Sequence, residues 1–314
     1  MDVRARANTF RHEVLLYSGI EEFLHDALES INESLDADEP LLVMVSAEKI
    51  ERLRAALGRD AGRIEFVDVE VVGRNPARMI PAWRALIDEK PDGSRRVRGL
   101  AEPIWSARRP AEVVEAELHE SLLNRAFADA PGLSLLCAYD TQDLDSSVID
   151  HARRNHAFVL EHGVRRPSDT YNGVPAVAAS LGGPLSELAA ENVLLTFDDL
   201  PLNAVRALVS EHATRNGLDR DRTDELVLAV DEAASNSVRH GEARRDLRIW
   251  TEGDVLICEV RDRGRIEDPL VGRTRPPTDR EGGRGLWIAN QLCDLVQVRS
   301  SAAGTVVRLH MMKG

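Results

Sequence analysis

Apolar positions in the first half of the chain follow two alternating patterns. Residues 21–35 carry apolar side chains at intervals of three and four, which predicts an amphipathic helix. Residues 40–46 (PLLVMVS) and 133–140 (LSLLCAYD) are continuous apolar runs, typical of strands in a parallel sheet that is covered on both faces. Residues 63–72 (RIEFVDVEVV) predict another strand. This alternation of strands and helices predicts a three-layer α/β domain.

The second half of the chain has a different order of elements. After a strand-like segment, NVLLTFD, come two helical segments, a hairpin, a long loop rich in Gly, Pro and Arg, a short helix and a final hairpin. Helices followed by antiparallel strands predict an α+β sandwich, in which we expect a mixed sheet packed against helices. Residues 166–190 hold three Pro and three Gly without sustained periodicity and predict a linker. The predicted domains are therefore 1–165 and 191–314.

Composition narrows the class of protein. A chain of 314 residues is long for a single core, which supports two domains, and its net charge of −13 argues against a nucleic-acid-binding protein. The N-terminal segment lacks the apolar core of a signal peptide, and no apolar run approaches the length of a membrane span. The three cysteines lie far apart, as expected for reduced thiols. We expect a cytoplasmic protein that contacts neither nucleic acid nor membrane.

A helical segment that ends in LAVDEAASNSVRHG (228–241) places polar side chains among small apolar ones. Glu232 and Asn236 are four residues apart, so they project from one face of the helix. Taken alone, this spacing of a carboxylate and an amide is most often a solvated helix face. The spacing of the apolar residues predicts a buried stripe made of Val227, Val230, Ala234 and Val238.

Two later segments change that interpretation. In VRDRG, Asp262 ends a strand and Gly264 opens a loop. A carboxylate at such a point can accept a hydrogen bond from an exocyclic amine, and a glycine lets the backbone approach a ring closely. In EGGRGLW, the glycines Gly282, Gly283 and Gly285 directly precede a helix, whose N-terminal amide groups can bind phosphate. Each segment is common by itself, but their ordered combination is specific for a nucleotide site.

In this order, the three segments resemble the GHKL ATPase superfamily, and within it the anti-sigma-factor serine/threonine kinases, over about residues 190–314. The resemblance implies that ATP and Mg²⁺ are cofactors. It also implies that Asn236 is the Mg²⁺ ligand, that Glu232 is the catalytic base and that Asp262 reads adenine. The other nucleotide contacts that it implies are Gly264, Gly283, Arg284, Gly285, Leu286 and Thr305.

The sequence departs from the family pattern just after Asp262. Ile266 stands where the family has a second glycine, so the loop that follows, about 265–284, is expected to differ in flexibility. This loop is rich in arginine. We expect Arg284 to contact the γ-phosphate, because it lies between two of the phosphate-binding glycines. The other candidates for that contact are Arg265, Arg273, Arg275 and Arg280.

The chemistry of the C-terminal domain depends on what precedes it. A histidine kinase carries its phospho-acceptor histidine on a long dimerising helix pair, and the segment around His212 is too short for such a hairpin. The resemblance therefore implies a kinase that phosphorylates an anti-sigma-factor antagonist on Ser or Thr and binds a sigma factor. It is also compatible with a homodimer. Two alternatives remain open at this stage. One is a non-catalytic ATP-binding partner-switching protein, and the other is an atypical histidine kinase that uses His212.

The N-terminal domain lacks a phosphate-binding G-x-x-x-x-G-K-[ST] loop and resembles the MEDS sensory family. That resemblance rests on His12 and Tyr17 in the opening segment and on Tyr139 and His151 in a later one. It implies a RecA-like α/β fold, with these four residues as candidates for binding a small-molecule signal. The spacings of His151, His156 and His162 do not place them on one helix face, and we expect no cysteine partner near them. We therefore do not predict a metal site there.

Overall fold

The protein is described by a computed structural model that covers residues 10–88, 96–130, 132–172, 183, 185–186, 192–198, 200–241, 244–276 and 283–313. The chain divides into two compact units, Met1–Val177 and Ala178–Gly314. The two units have different sheets, one mostly parallel and one antiparallel, and each is built around its own apolar core.

Strands and helices alternate along the N-terminal unit. They are β1 (Arg11–Tyr17), α1 (Gly19–Asp36), β2 (Leu41–Val45), α2 (Ala47–Leu57), β3 (Glu65–Asp68), α3 (Val69–Val72), α4 (Met79–Asp88), β4 (Val97–Ala101), α5 (Pro110–Ala126), β5 (Leu133–Asp140), α6 (Ser146–Asn155), β6 (Phe158–Glu161) and β7 (Val164–Pro167). The strands form one sheet in the order β3-β2-β4-β5-β1-β6-β7. Every described pair is parallel except the hairpin β6–β7.

Helices cover both faces of this parallel sheet. On one face, Leu15 of β1 packs with Phe23 of α1 and Leu53 of α2. On the other face, Val14 of β1 packs in a cluster that includes Ala116 of α5. Because side chains alternate along a strand, neighbouring residues of β1 serve two separate cores. The predicted three-layer α/β architecture is confirmed.

The strand predicted at residues 63–72 is only partly correct. β3 ends at Asp68, whose side chain accepts a hydrogen bond from the Glu70 backbone N–H at 2.9 Å. This contact caps a helical turn, so the apolar residues that follow Asp68 form α3 instead of extending the strand. The strands predicted at 40–46 and 133–140 are present as β2 and β5, and β2 is buried along its whole length.

The C-terminal unit packs helices against an antiparallel sheet. Its elements are β8 (Val193–Thr196), α7 (Leu202–Arg215), α8 (Arg220–His240), β9 (Asp246–Glu252), β10 (Val255–Asp262), α9 (Gly285–Leu292), β11 (Leu295–Ser301) and β12 (Gly304–Met312). The strand order is β11-β12-β10-β9-β8, and every described pair is antiparallel. The predicted α+β class is confirmed, although the sheet is antiparallel rather than mixed.

Helix α8 buries Val230 and Ala234 of the predicted stripe but not the other two residues. Leu226, Val230 and Ser237 are buried against the rest of the unit, whereas Val227 is only partly buried. Val238 is 47% exposed. Small apolar residues occur on more than one side of this helix, so the sheet and the neighbouring helices select the buried side, and sequence spacing alone does not.

The predicted linker, 166–190, lies for the most part outside the described residues. Its first two residues belong to β7, which pairs with β6 in the N-terminal unit. Among the described helices, none has both the length and the apolar character that crossing a bilayer requires.

The packing of β4 against α4 gives a test of the N-terminal core. A Cβ atom at Gly99 would lie 2.5 Å from Leu135 Cδ2 and 2.6 Å from Trp83 Cζ3, closer than such contacts allow. We expect Gly99→Ala to lower the free energy of unfolding of this unit by about 1–3 kcal/mol, because overpacking displaces both side chains.

Pulsed hydrogen exchange with mass spectrometry across a urea series would measure the stability of this unit within the full chain. Gly62→Ala is the matched control, because nothing lies within 4 Å of its Cβ position. We expect the control to change the stability by no more than about 0.5 kcal/mol. Equal effects of the two substitutions would contradict the close packing of β4.

Candidate functional site

Helix α8 carries two polar side chains, Glu232 and Asn236, that have no hydrogen-bond partner among the described residues. Asp219 caps the helix by accepting a hydrogen bond from the Arg222 backbone N–H at 2.8 Å, and Gly241 follows its last residue. Glu232 and Asn236 are both half-buried on this helix. Neither side chain is hydrogen-bonded to another described residue. Because polar groups in such positions are usually satisfied, this carboxylate and this amide are available to a ligand.

The N-terminus of α9 lies directly against this pair. A Cβ atom at Gly285, the first residue of α9, would lie 2.7 Å from Glu232 Oε2 and 2.8 Å from Asn236 Nδ2. Only glycine therefore fits between the two helices at this point. The first backbone N–H groups of a helix have no partners within it and carry partial positive charge. The contact thus brings an anion-binding helix end together with two oxygen-bearing side chains.

Asp262 joins the end of β10 to helix α8 and to the loop that follows. Its Oδ2 accepts a hydrogen bond from Ser237 Oγ, and its Oδ1 accepts one from the Gly264 backbone N–H at 2.6 Å. A Cβ atom at Gly264 would lie 2.9 Å from both Gly241 Cα and the His240 carbonyl oxygen, so the loop passes close to the helix end. Each carboxylate oxygen of Asp262 keeps a second acceptor position for a ligand.

Thr305 on β12 fixes the same loop from the other side. Its hydroxyl donates to the Gly264 carbonyl oxygen at 2.9 Å and lies 3.1 Å from Ser300 Oγ. Ser300 Oγ in turn accepts a hydrogen bond from the Ile266 backbone N–H at 2.8 Å. The residue that replaces the family glycine therefore has its backbone tied to β11.

Asn236, Asp262 and Thr305 line a cavity of about 300 Å³, a volume at the lower end of the range for small-molecule sites. The residues predicted to contact the nucleotide that line it are Asn236, Asp262, Gly264, Gly283, Leu286 and Thr305. His240 and Arg265 also line the cavity. The sequence did not single out Ala233, Ser237, Gly241, Val271 and Val307, which complete much of the wall. The one sequence feature that could have identified Ser237 is its position directly after Asn236 on the same helix.

Glu232, Arg284 and Gly285 are not part of the cavity wall. Glu232 and Gly285 meet each other as described above, and Arg284 is an exposed residue immediately before α9. Of the other loop arginines, Arg273 is buried and Arg275 is exposed. Arg280 and Gly282 lie outside the described residues. The expected contact of Arg284 with the γ-phosphate therefore stays a prediction.

The four residues predicted to bind a sensory ligand do not come together in the N-terminal unit. His12 and Tyr139 are buried on the face of the sheet that α5 and α6 cover, whereas Tyr17 is buried on the opposite face. His151 is half-buried on α6, with Nε2 3.3 Å from the Glu117 carbonyl oxygen. These positions do not form a single pocket.

Tyr17 belongs to a polar group at the carboxyl ends of β1, β2 and β4. Lys49 Nζ donates to Tyr17 Oη at 2.7 Å and pairs with Glu102, which also accepts a hydrogen bond from Tyr17 at 3.2 Å. Burial, and then the charge of Glu102, raise the pKa of Tyr17, so the phenol stays protonated. A cavity of about 500 Å³ lies beside Lys49, lined also by Gly19 and Asp140. Ligands of open α/β sheets bind at this edge.

His156 has neighbours that its position in the sequence does not reveal. His162 is exposed and pairs with Glu22. By contrast, His156 lies in a fully buried polar cluster, whose other members are His12, Glu120 and Cys137. The expectation that no cysteine lies near these histidines is therefore wrong for His156, because β5 carries Cys137 to it across the fold.

Two known families match separate parts of the chain. Residues 11–157 match the family described as MEDS, the MEthanogen/methylotroph, DcmR Sensory domain, and residues 197–311 match the Histidine kinase-like ATPase domain family. The chain joins a MEDS domain to a histidine kinase-like ATPase domain. Both resemblances that the sequence indicated are confirmed.

The chain is also similar in part to individual proteins. The serine-protein kinase RsbW of Bacillus velezensis is 29% identical over 124 residues, which are 35% of this chain and 78% of that protein. A crystal structure of the RsbU and RsbW domains of Rv1364c from Mycobacterium tuberculosis is 23% identical, with a TM-score of 0.30. That match covers 39% of this chain. It covers 32% of the Mycobacterium tuberculosis chain, so this chain spans about a third of the length of that structure.

The close contact of Gly285 with α8 can be tested by its effect on nucleotide binding. We expect Gly285→Ala to weaken binding of a non-hydrolysable ATP analogue with Mg²⁺ by about ten-fold or more, since the added methyl group displaces Glu232 and Asn236. Isothermal titration calorimetry on the full chain would measure the affinity. Gly253→Asn is the control, in a turn with a φ of 59° that Asn tolerates and with nothing within 4 Å. Unchanged affinity in Gly285→Ala would rule out this role.

Proposed function

We propose that this protein is an ATP-dependent serine/threonine kinase that phosphorylates an anti-sigma-factor antagonist and sequesters a sigma factor, under the control of its MEDS domain. The observation that carries the proposal is the meeting of Glu232 and Asn236 with the N-terminus of α9, next to a cavity that also holds Asp262. The similarity of the ATPase domain to the serine-protein kinase RsbW supports the reaction class.

The cavity suits an adenine ring at its Asp262 end. The Asp262 carboxylate is oriented by Ser237 and by the Gly264 backbone N–H, and it keeps acceptor positions for an exocyclic amine. Thr305 holds the Gly264 carbonyl oxygen, which keeps this part of the loop close to the ring position. Val307 supplies an apolar surface in the same cavity. A carboxylate that only accepts hydrogen bonds favours an amino group over a keto group, so Asp262 would select adenine.

The residues near α9 fit phosphates and a divalent cation. In the proposed complex, the amide oxygen of Asn236 would bind Mg²⁺, which prefers oxygen ligands. The backbone N–H groups at Gly285 and Leu286, together with Arg284, would bind phosphate oxygens. Gly283 has a φ of 77° and nothing within 4 Å of its Cβ position, so the approach to this helix end is open there. Bound ATP would supply the phosphoryl group, and Mg²⁺ would neutralise its charge.

Glu232 is the proposed catalytic base. Its carboxylate accepts the proton of a Ser or Thr hydroxyl on the partner protein. No described residue donates a hydrogen bond to this carboxylate, so nothing in the described part of the chain competes with the incoming hydroxyl. Asn236 lies one helical turn away, which would place the cation and the base side by side.

The partners follow from the same resemblance. We propose an anti-sigma-factor antagonist as the phosphorylated protein and a sigma factor as the sequestered one, with a homodimer as the assembly. The signal would be a small molecule bound by the MEDS domain. The cavity beside Lys49, at the carboxyl ends of β1, β2 and β5, supports a ligand site in that domain.

Phosphoryl transfer to a partner protein tests the proposed function. The full chain is incubated with radiolabelled ATP, Mg²⁺ and candidate antagonist proteins, and label on Ser or Thr is measured. We expect Glu232→Gln to reduce transfer by about 10²–10⁴-fold while ATP binding is retained, because the general base is lost. Asp224→Asn is the control, an exposed carboxylate on the same helix whose substitution should leave transfer unchanged.

The other outcomes separate the alternatives. Tight ATP binding without transfer to any antagonist would indicate a non-catalytic partner-switching protein. Acid-labile autophosphorylation that is lost in His212→Ala would indicate a histidine kinase instead. Transfer by Glu232→Gln at the wild-type rate would exclude Glu232 as the base.

The preference for one nucleotide base over another tests the proposed role of Asp262. We expect Asp262→Asn to reduce the preference for ATP over inosine triphosphate by about ten-fold or more, because Asn can donate a hydrogen bond to the 6-keto group that Asp cannot. Competition binding with the two nucleotides would measure the ratio. Asp246→Asn, in β9 outside the cavity, is the control. An unchanged ratio would show that Asp262 does not read the base.

A further inference from the structure

The buried cluster of His12, Glu120, Cys137 and His156 draws its members from four elements of the N-terminal unit. His12 lies on β1 and Cys137 on the neighbouring strand β5, with side chains on the same face of the sheet. Glu120 comes from α5, and His156 directly follows α6. Each of the four residues is 4% exposed or less. The cluster therefore lies in the layer between the sheet and these two helices, away from the cavity beside Lys49.

The distances within the cluster match those between ligands of one metal ion. His12 Nε2 lies 3.4 Å from both Cys137 Sγ and Glu120 Oε2, and His156 Nε2 lies 3.1 Å from Glu120 Oε2. One potential ligand atom from each residue lies within 4.8 Å of all the others. Tetrahedral zinc with its usual bond lengths places ligand atoms about 3.3–3.6 Å apart.

The second nitrogen of each imidazole is already engaged. His12 Nδ1 lies 3.2 Å from Asn124 Oδ1, and His156 Nδ1 lies 2.7 Å from the Ala152 carbonyl oxygen. Asn124 Nδ2 donates to the Asn155 carbonyl oxygen at 2.9 Å, so the oxygen of this amide is the atom that faces His12. Both rings therefore donate from Nδ1. Metal-bound histidines are oriented in this way, with Nε2 left for the metal.

With Nδ1 protonated, neutral rings direct the lone pairs of Nε2 toward the carboxylate of Glu120. Neither oxygen of Glu120 nor Nε2 of His156 makes a hydrogen bond of acceptable geometry to a described residue. Protonating both rings instead would place two cations with ring centres 3.9 Å apart in a buried site, where their repulsion is strong. A divalent cation among the four residues removes both difficulties, because it accepts one lone pair from each residue and neutralises their negative charge.

We propose that His12, Glu120, Cys137 and His156 bind a divalent transition metal ion, with Zn²⁺ as the best fit. A mixed set of imidazole, thiolate and carboxylate ligands suits zinc, whereas Mg²⁺ and Ca²⁺ are bound through oxygen. Four protein ligands in a buried position form a closed site, which is typical of structural zinc. The ion would connect β1 and β5 to α5 and to the end of α6, in the layer between the sheet and these two helices.

The test measures the metal content of the full chain. The protein is produced without a polyhistidine tag in zinc-supplemented medium, and gel filtration in the presence of a chelator then removes loosely bound metal. We expect about one equivalent of zinc per chain by mass spectrometry of the elements. Cys137→Ser and His156→Ala should each lose at least about nine-tenths of it, since each removes one ligand of four. His162→Ala, at an exposed histidine, and Cys258→Ala, at a buried cysteine of the other unit, are the matched controls and should keep the metal.

Cobalt reports on the thiolate and does not depend on whether the ligand variants Cys137→Ser and His156→Ala fold. In a chain with Cys258→Ala and Cys293→Ala, Cys137 is the remaining cysteine, and Co²⁺ should give a thiolate-to-metal charge-transfer band. Absence of both zinc and this band would overturn the proposal. So would zinc that is retained at the wild-type level in Cys137→Ser. If Cys137→Ser does not fold, the cobalt band alone decides: its presence supports the site, and its absence rejects it.

Discussion

The carboxylate of Asp262 ties helix α8 to the end of β10 and to the loop that follows that strand. It accepts hydrogen bonds from Ser237 on α8 and from the backbone of Gly264 in the loop after β10. Thr305 holds the same loop to β12. Because hydrogen bonds to a charged acceptor are stronger than neutral ones, this half-buried carboxylate fixes the helix, the strand end and the loop in one arrangement. The cavity exists where those parts meet, so its shape depends on this one side chain.

Several residues that the sequence singled out meet around the cavity of the ATPase domain, because the sequence signals for them are local. A carboxylate and an amide four residues apart must share a helix face, and glycines before a helix must lie at its N-terminus. What the sequence could not predict depends on packing between elements. The close approach of Gly285 to Glu232 and Asn236 arises only when α9 docks on α8. Burial of Ser237 and exposure of Val238 likewise follow from how α8 rests on the sheet.

In the MEDS domain, two residues of one sequence motif lie on opposite faces of the same strand. His12 and Tyr17 are five residues apart on β1, and side chains on a strand alternate between its two faces. An odd spacing therefore sends the two side chains to opposite faces, where they join different clusters. The architecture of this domain was predictable because buried strands and amphipathic helices alternate. The contacts of His12 with Glu120 and Cys137 were not, because they form only when a helix closes over two neighbouring strands.

The position of Ile266 shows how a departure from a family pattern can alter a site without moving it. Its side chain lines the cavity, and its backbone N–H donates to Ser300 Oγ at 2.8 Å. A glycine there would give the loop more conformational freedom and would add no apolar surface. Isoleucine is restricted at χ1 and narrows the backbone choices, so the loop begins from a fixed point on β11. We therefore expect Ile266 to make the cavity stiffer at the end where adenine is proposed to bind, without changing the groups near α9 that are proposed to bind phosphate.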